Sequence, residues 1–173
     1  MKRLFKINFS LLILFALTAT EAFAQVSANG HVIAEIIPVF TATETSQLNF
    51  GRFSPGPQGG KIILSPQGSV SVLGSIYKGT GMHNAASFYV TGDQDASFSI
   101  TLPENPVILK HTTSPKTMTI DNWLSVPAPG AGMGSLQNGS QTIYIGATLN
   151  VGTLNDNPVG IYTGTYEISF DFN

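Results

Sequence analysis

The amino-acid sequence predicts an all-β protein: an antiparallel β-sandwich of about ten strands, with no helix after residue 24. Three observations indicate this fold. Short stretches rich in β-branched and aromatic residues follow one another at close spacing. Clusters of Gly, Pro, Asn and Asp separate them, and these residues favour turns because Pro fixes φ and Gly permits positive φ. No segment after residue 24 repeats apolar residues at the period of an amphipathic helix.

Ten segments are predicted as strands. In chain order they are residues 32–40, 47–50, 60–64, 69–76, 87–91, 97–102, 107–110, 117–126, 142–151 and 160–172. Turns are predicted between them, at residues 54–57, 78–81, 92–95 and 127–130. Many short strands in one domain are typical of a sandwich or a barrel.

The first predicted strand is apolar on both faces apart from His31 and Glu35. Its apolar residues are Val32, Ala34, Ile36, Ile37 and Val39. Such a strand is expected to be covered on both sides. It is either the first strand of a complete sandwich or a segment that pairs with another chain, and the first interpretation is preferred.

The last predicted strand alternates instead. From its start at Gly160, one face carries Tyr162, Gly164, Tyr166, Ile168, Phe170 and Phe172, and the other carries polar residues. This pattern predicts a half-buried strand. Because chain ends fray unless they are held, we expect this one to be paired in a sheet.

Residues 1–24 are predicted to be a secretory signal peptide. Lys2 and Arg3 precede a short apolar run, and Ala22, Phe23 and Ala24 form the small-residue exit. That run is too short for a transmembrane helix. Residues 25–173 then form a single domain, and we expect it in the periplasm, at the cell surface or outside the cell.

The predicted mature chain has 149 residues, with five basic and nine acidic residues and a net charge of −4. This balance offers no basic surface for nucleic acid. The chain has no Cys, so its stability depends on a core rather than on disulfides.

The chemistry-bearing residues predict no catalytic, metal or cofactor site, and the protein is not expected to be an enzyme. His31, His83 and His111 are far apart in sequence and lack the spacing of a metal site. Glycine-rich residues 79–82 and 130–134 are interpreted as loops, because no predicted helix follows either as a phosphate site requires.

Four further residue groups have two interpretations each. Asp93 with Asp95, and separately Asp156, could bind calcium through oxygen ligands, but turns stabilised by their own side chains are favoured. Asn138 begins a glycosylation sequon whose use depends on the host. Trp123 is interpreted as a core residue rather than a sugar-binding surface.

Several phrases together resemble a family of exported bacterial proteins, domain of unknown function 4402. They are residues 48–51 (Leu-Asn-Phe-Gly), 55–56, 59–68, 98–103, 146–152 and 158–166. In order and spacing they span nearly the whole predicted mature chain.

That family is in turn similar to spore-coat-U-like and chaperone–usher pilin subunits. The resemblance implies an immunoglobulin-like, pilin-like sandwich that lacks one strand, filled first by a periplasmic chaperone and then by a neighbouring subunit. Phe172 is penultimate and Gly160 is fourteenth from the end, as in pilins. The pilin disulfide is absent.

Three functions remain open at this point. The first is an exported structural or adhesion subunit that assembles with itself or related subunits by strand complementation. The second is a self-complete monomeric sandwich that binds a ligand such as a glycan, through Trp123 or residues 127–134. The third is a small outer-membrane barrel.

Overall fold

A computed structural model describes residues 25–37 and 39–172 of the 173-residue chain. The predicted signal peptide lies outside the described residues, as do Pro38 and Asn173. Packing divides the chain after Glu35 into two units. In the first unit, residues 25–35 are exposed and contain no helix or strand. The second unit carries every strand found in the described part of the chain.

Eleven strands, and no helix, are found in the described residues. They are β1 (Thr41–Ser46), β2 (Phe53–Leu64), β3 (Val70–Lys78), β4 (Ala86–Thr91), β5 (Ser97–Thr101), β6 (Val107–His111), β7 (Thr117–Val126), β8 (Gly130–Ser135), β9 (Ser140–Val151), β10 (Tyr162–Thr163) and β11 (Ser169–Phe172). None of the described segments is a helix that could span a membrane.

The strands form two antiparallel sheets. The larger sheet has eight strands in the order β1-β4-β9-β7-β6-β10, with β2 pairing both β9 and β3. The smaller sheet has three strands in the order β11-β5-β8. The predicted all-β, antiparallel sandwich is therefore confirmed.

Strand β9 is the centre of the larger sheet. One of its edges pairs with β7, and the other pairs first with β4 and then with β2. The change of partner falls between Ile145, opposite Ala86, and Ala147, opposite Leu64. Gly146 lies at this fork, where an added Cβ would overlap the carbonyl oxygen of Leu64.

The core lies on the inner face of the larger sheet. One cross-strand row there runs through Ile62, Leu149, Ile120 and Val107, and the smaller sheet contributes the fully buried Phe98. Burial of such side chains is the main favourable term in the stability of a domain without disulfides.

A β-bulge in β7 decides which side of the sheet Trp123 occupies. The register shifts between Asp121 and Leu124, where Asn122 has a φ of 47°. The extra residue directs Trp123 into the core, with 9% of its surface exposed, and leaves Leu124 half exposed. The interpretation of Trp123 as a core residue is confirmed.

The main difference from the sequence prediction concerns the first predicted strand. Residues 32–37, 39 and 40 belong to no strand, and the larger sheet begins instead at Thr41. Residues 41–46 escaped prediction because they are polar and exposed, as suits an edge strand. Residues 47–50 form only one isolated bridge, between Asn49 and Asn84.

Two predicted connections are strands. Residues 54–57 lie in β2, where a register shift accommodates the prolines and glycines. Residues 130–134, interpreted as a loop, lie in β8. Gly134 is needed there because the Phe98 ring occupies the space that its side chain would take.

The predicted C-terminal strand is divided. Tyr162–Thr163 pairs with β6 of the larger sheet, whereas Ser169–Phe172 pairs with β5 of the smaller sheet. The intervening residues 164–168 belong to no strand because the chain crosses from one sheet to the other. The predicted alternation still holds, since Tyr166, Ile168 and Phe170 pack against the core.

We predict that Gly146→Ala lowers the free energy of unfolding by about 2–3 kcal/mol, because the added methyl group forces the fork between β4 and β2 apart. Urea denaturation of the purified variant measures the loss. Gly30→Ala is the control, since no atom lies within 4 Å of a Cβ at that position. Equal stability of the two variants would contradict the close packing at the fork.

Candidate functional site: an apolar groove

A groove of about 910 Å³ opens on the inner face of the larger sheet. Its floor consists of apolar side chains from four strands: Phe88, Val107, Leu109, Met118, Ile120 and Leu149. Several of these side chains also pack against the core. The groove is thus an uncovered part of the sheet face that elsewhere forms the core of the sandwich.

The first wall of the groove is the connection from β1 to β2, residues 47–55. The backbone N–H groups of Asn49 and Asn84 each donate to the other residue's carbonyl oxygen, both at 2.9 Å. The Asn49 side chain accepts a hydrogen bond from Gly51 N–H at 2.8 Å. Gly51 has a φ of 79°, so a glycine suits this tight turn.

The second wall, residues 158–166, is tied down by a buried amide. Asn157 is 5% exposed. Its Oδ1 accepts a hydrogen bond from Gly152 N–H at 2.6 Å, and its Nδ2 donates to the carbonyl of Thr117 at 2.7 Å. The Asn157 side chain thus joins β7 to the end of β9. The residue just before the second wall is therefore held in place.

His111 holds the next part of this wall. Its Nδ1 accepts a hydrogen bond from Thr113 N–H at 3.0 Å, so its Nε2 carries the proton and donates to the carbonyl of Val159 at 3.1 Å. The ring also meets Tyr162 edge-on, with centroids 4.8 Å apart. Gly160 lies against the imidazole, where any side chain would overlap it.

The upper end of the groove is closed by Tyr166 and Glu44. The Tyr166 ring packs on Trp123 at a centroid distance of 4.8 Å and meets Phe88 at 6.4 Å. Within the described residues, Trp123 Nε1 and the Tyr166 hydroxyl are buried without a hydrogen-bond partner. Burial first, and then the nearby Glu44 carboxylate, raise the pKa of Tyr166 above its ordinary value.

Glu44 is a neighbouring charge of Tyr166 rather than its hydrogen-bond partner, since the two groups do not meet hydrogen-bond geometry. Two unpaired donors side by side are unfavourable, because each loses its hydrogen bonds to water. This end of the groove is therefore packed with aromatic rings but contains two buried donors without hydrogen-bond partners among the described residues.

The rim of the second wall is apolar and exposed. Val159 is 90% exposed, and Ile161 and Leu154 also present much of their side chains to solvent. All three line the groove, so the apolar floor continues onto the outer surface. Large contiguous apolar patches on a protein surface mark interaction sites.

The predicted C-terminal strand contributes directly to this site. Gly160, Tyr162, Gly164 and Tyr166 line the groove. Phe172 lies further along and contacts the ring of Phe40, with centroids 5.7 Å apart. The first wall and the floor were not identified from the sequence, because nothing in these short segments shows that they face one another.

The predicted apolar N-terminal segment is exposed. Val32, Ile33 and Ile36 are each more than 90% exposed, and Ala34, Ile37 and Val39 are also exposed. Phe40, which follows the segment, is held between the rings of Phe98 and Phe172 at centroid distances of 5.7 Å.

The candidate calcium residues lie in turns. The Asp156 carboxylate accepts hydrogen bonds from Thr153 Oγ1 at 2.7 Å and Thr153 N–H at 3.3 Å, and these bonds lower the pKa of Asp156. Asp93 and Asp95 lie in another turn, where Ala96 N–H donates to the carbonyl of Asp93, and Asp95 N–H donates to the carbonyl of Leu136. Among the described residues, no three His, Asp or Glu side chains are grouped as a metal site requires.

These features define an all-β sandwich protein with an open apolar groove. The profile of the family described as domain of unknown function 4402 matches residues 40–172, and the chain belongs to this family. The match covers the floor and both walls of the groove and begins just after the exposed apolar segment. Neither a search of curated proteins nor a search of solved structures gave a match.

We predict that Tyr166→Phe raises the free energy of unfolding by about 1 kcal/mol at neutral pH, because it removes a buried hydroxyl without a partner. Tyr162→Phe is the matched control. It removes a hydroxyl that donates to the carbonyl of Pro158 at 3.0 Å, so it is expected to destabilise by about 1 kcal/mol. Urea denaturation distinguishes the two signs.

Comparison of wild type with Tyr166→Phe also provides a pH readout. The folded pKa of Tyr166 is raised, so wild-type stability is expected to fall as the pH rises above about 10, where the unfolded phenol ionises first. Tyr166→Phe should lose less stability over this range. An identical pH profile for wild type and Tyr166→Phe would contradict the burial of this hydroxyl.

Proposed function

We propose that this protein is an exported, non-enzymatic structural subunit that assembles by strand donation. In this proposal the N-terminal segment of one copy, residues 32–39, binds in the apolar groove of the next copy. The observation that carries the proposal is that one chain presents both an exposed apolar segment and an open apolar groove. Burying the two surfaces against each other would remove both from water.

An edge strand beside the groove also supports strand donation. β1 ends the strand order of the larger sheet, and residues 164–168 belong to no strand. Edge strands offer a row of N–H and C=O groups that an extended segment can pair with. Such pairing provides affinity, and alternate side chains that enter the groove provide specificity.

A second copy is a better donor than the same chain. Phe40 separates Val39 from Thr41, the first residue of β1, and its ring is held by Phe98 and Phe172. Residues 32–37 and 39 are exposed, so the chain does not bury them in its own groove. A neighbouring copy could bury them in its groove.

The remaining parts of the proposal concern export and partners. A secretory signal peptide at residues 1–24 would deliver the chain to the periplasm, the cell surface or the exterior. The resemblance to pilin subunits favours an immunoglobulin-like arrangement of the sandwich and a periplasmic chaperone as a temporary occupant of the groove. The final partners would be further copies or related subunits.

We predict that Ile36→Asp in the mature chain converts multimers into monomers. A carboxylate that enters an apolar groove is left without a partner, so affinity should fall at least about tenfold. Native mass spectrometry measures the change. Ser27→Asp adds the same charge outside the apolar segment and should leave the multimer intact, whereas a multimer that survives Ile36→Asp would argue against strand donation.

We also predict that Val159→Asp abolishes assembly from the groove side. Val159 is exposed on the rim, so the substitution should leave the fold intact while placing a charge in the bound interface. Leu73→Asp is the control, because Leu73 is an exposed apolar residue that does not line the groove. Equal effects of the two substitutions on the native mass would contradict the groove as the binding site.

A further inference from the structure

Glu44 is the one acidic residue among the described residues that line the groove. It lies on the edge strand β1 in register with Phe88, which in turn pairs with Ile143. Residues in such a cross-strand row share one face of the sheet, and Phe88 and Ile143 belong to the core face. The Glu44 side chain is therefore on the inner face at the exposed edge of the sheet, beside the place where a donated strand would lie.

Arg52 is the basic residue among the described residues that line the groove. A Cβ at Gly81 would lie 3.3 Å from Arg52 Cγ and 3.5 Å from its Cδ. The aliphatic stem thus runs against the β3–β4 connection. Glu44 is the charged residue beside Tyr166 at the upper end of the groove.

The two faces of the N-terminal segment differ in one charge. As an extended strand, it places Val32, Ala34 and Ile36 on one face and Ile33, Glu35 and Ile37 on the other. Apolar volume alone would not favour the first face, since the second has two isoleucines. A selection between the faces must therefore come from Glu35.

We infer that Glu44 is the residue that determines which face of the donated segment enters the groove. This inference rests on the proposed strand donation. If Glu35 pointed inward, two carboxylates would share an apolar groove, and like charges placed together oppose binding. The segment therefore binds with Val32, Ala34 and Ile36 toward the floor and with Glu35 toward solvent. A shift of one residue would reverse every side chain, so one repulsive pair opposes such a shift and selects the face that points inward.

Thiol protection in the assembled mature chain tests this inference. The natural sequence has no Cys, so Ile36→Cys or Ile37→Cys supplies the single thiol. Each variant is assembled, checked by native mass spectrometry and alkylated with iodoacetamide, with the rate in urea as the reference. We expect alkylation at position 36 to be at least about tenfold slower than at position 37.

Charge reversal tests whether Glu44 causes the difference in alkylation rate between positions 36 and 37. Glu44→Lys should attract Glu35 inward and reverse the order of protection, and Glu35→Lys should do the same in the wild-type groove. Combining the two substitutions restores like charges and should restore the original order. Glu167→Lys is the control, because Glu167 is exposed and does not line the groove.

The possible results distinguish the role of Glu44 from the proposed strand donation on which it rests. Monomers without protection at either position would overturn both strand donation and the role of Glu44. Multimers that keep position 36 protected in every charge variant would overturn the role of Glu44 and leave strand donation standing. Multimers that protect position 37 in the wild-type background would overturn the assigned face.

Discussion

A three-stranded sheet cannot cover the inner face of an eight-stranded sheet, and the rest of the structure follows from this inequality. The larger sheet extends across β9 in both directions, whereas the smaller sheet contains only β5, β8 and β11. Where the smaller sheet ends, irregular segments must cover apolar side chains. They do so incompletely, and the groove is the part of the face that stays open.

The C-terminal chain is the element most affected by this inequality. It pairs with β6 of the larger sheet, crosses the gap and pairs with β5 of the smaller sheet. At the crossing, Tyr166 packs between Phe88 and Trp123 and closes one end of the groove. Its buried hydroxyl has no hydrogen-bond partner among the described residues, whereas most buried polar groups in proteins are paired.

The chain exposes two apolar surfaces, the N-terminal segment and the open groove. Each is unfavourable in water, and each is the kind of surface that the other could bury. Charges at this site act mainly on specificity, since repulsion can reject a wrong alignment without strengthening the right one. In the proposed assembly, Glu44 on β1 and Glu35 on the donated segment would form such a repulsive pair.

Periodicity in the sequence predicted much of the fold. The bounds of β7 agree with the prediction, and those of β4, β5 and β6 agree to within one residue. β5 and β6 alternate more buried and more exposed side chains, and β7 does so on both sides of its bulge, a pattern that the sequence displays directly. Polar β1 and glycine-rich β8 were missed, because an edge strand and a strand packed under an aromatic ring do not need that pattern.

The sequence by itself determined the class of fold, the core position of Trp123 and the two unusual segments at the chain ends. These properties depend on side-chain chemistry and local alternation, which are readable along the chain. Only the tertiary structure decided that residues 32–37 and 39 pair with none of the described strands, and that the C-terminal segment pairs with both sheets. The groove could also be found only from the tertiary structure, because its floor and walls come from segments far apart in sequence. These segments meet only through the packing of two unequal sheets.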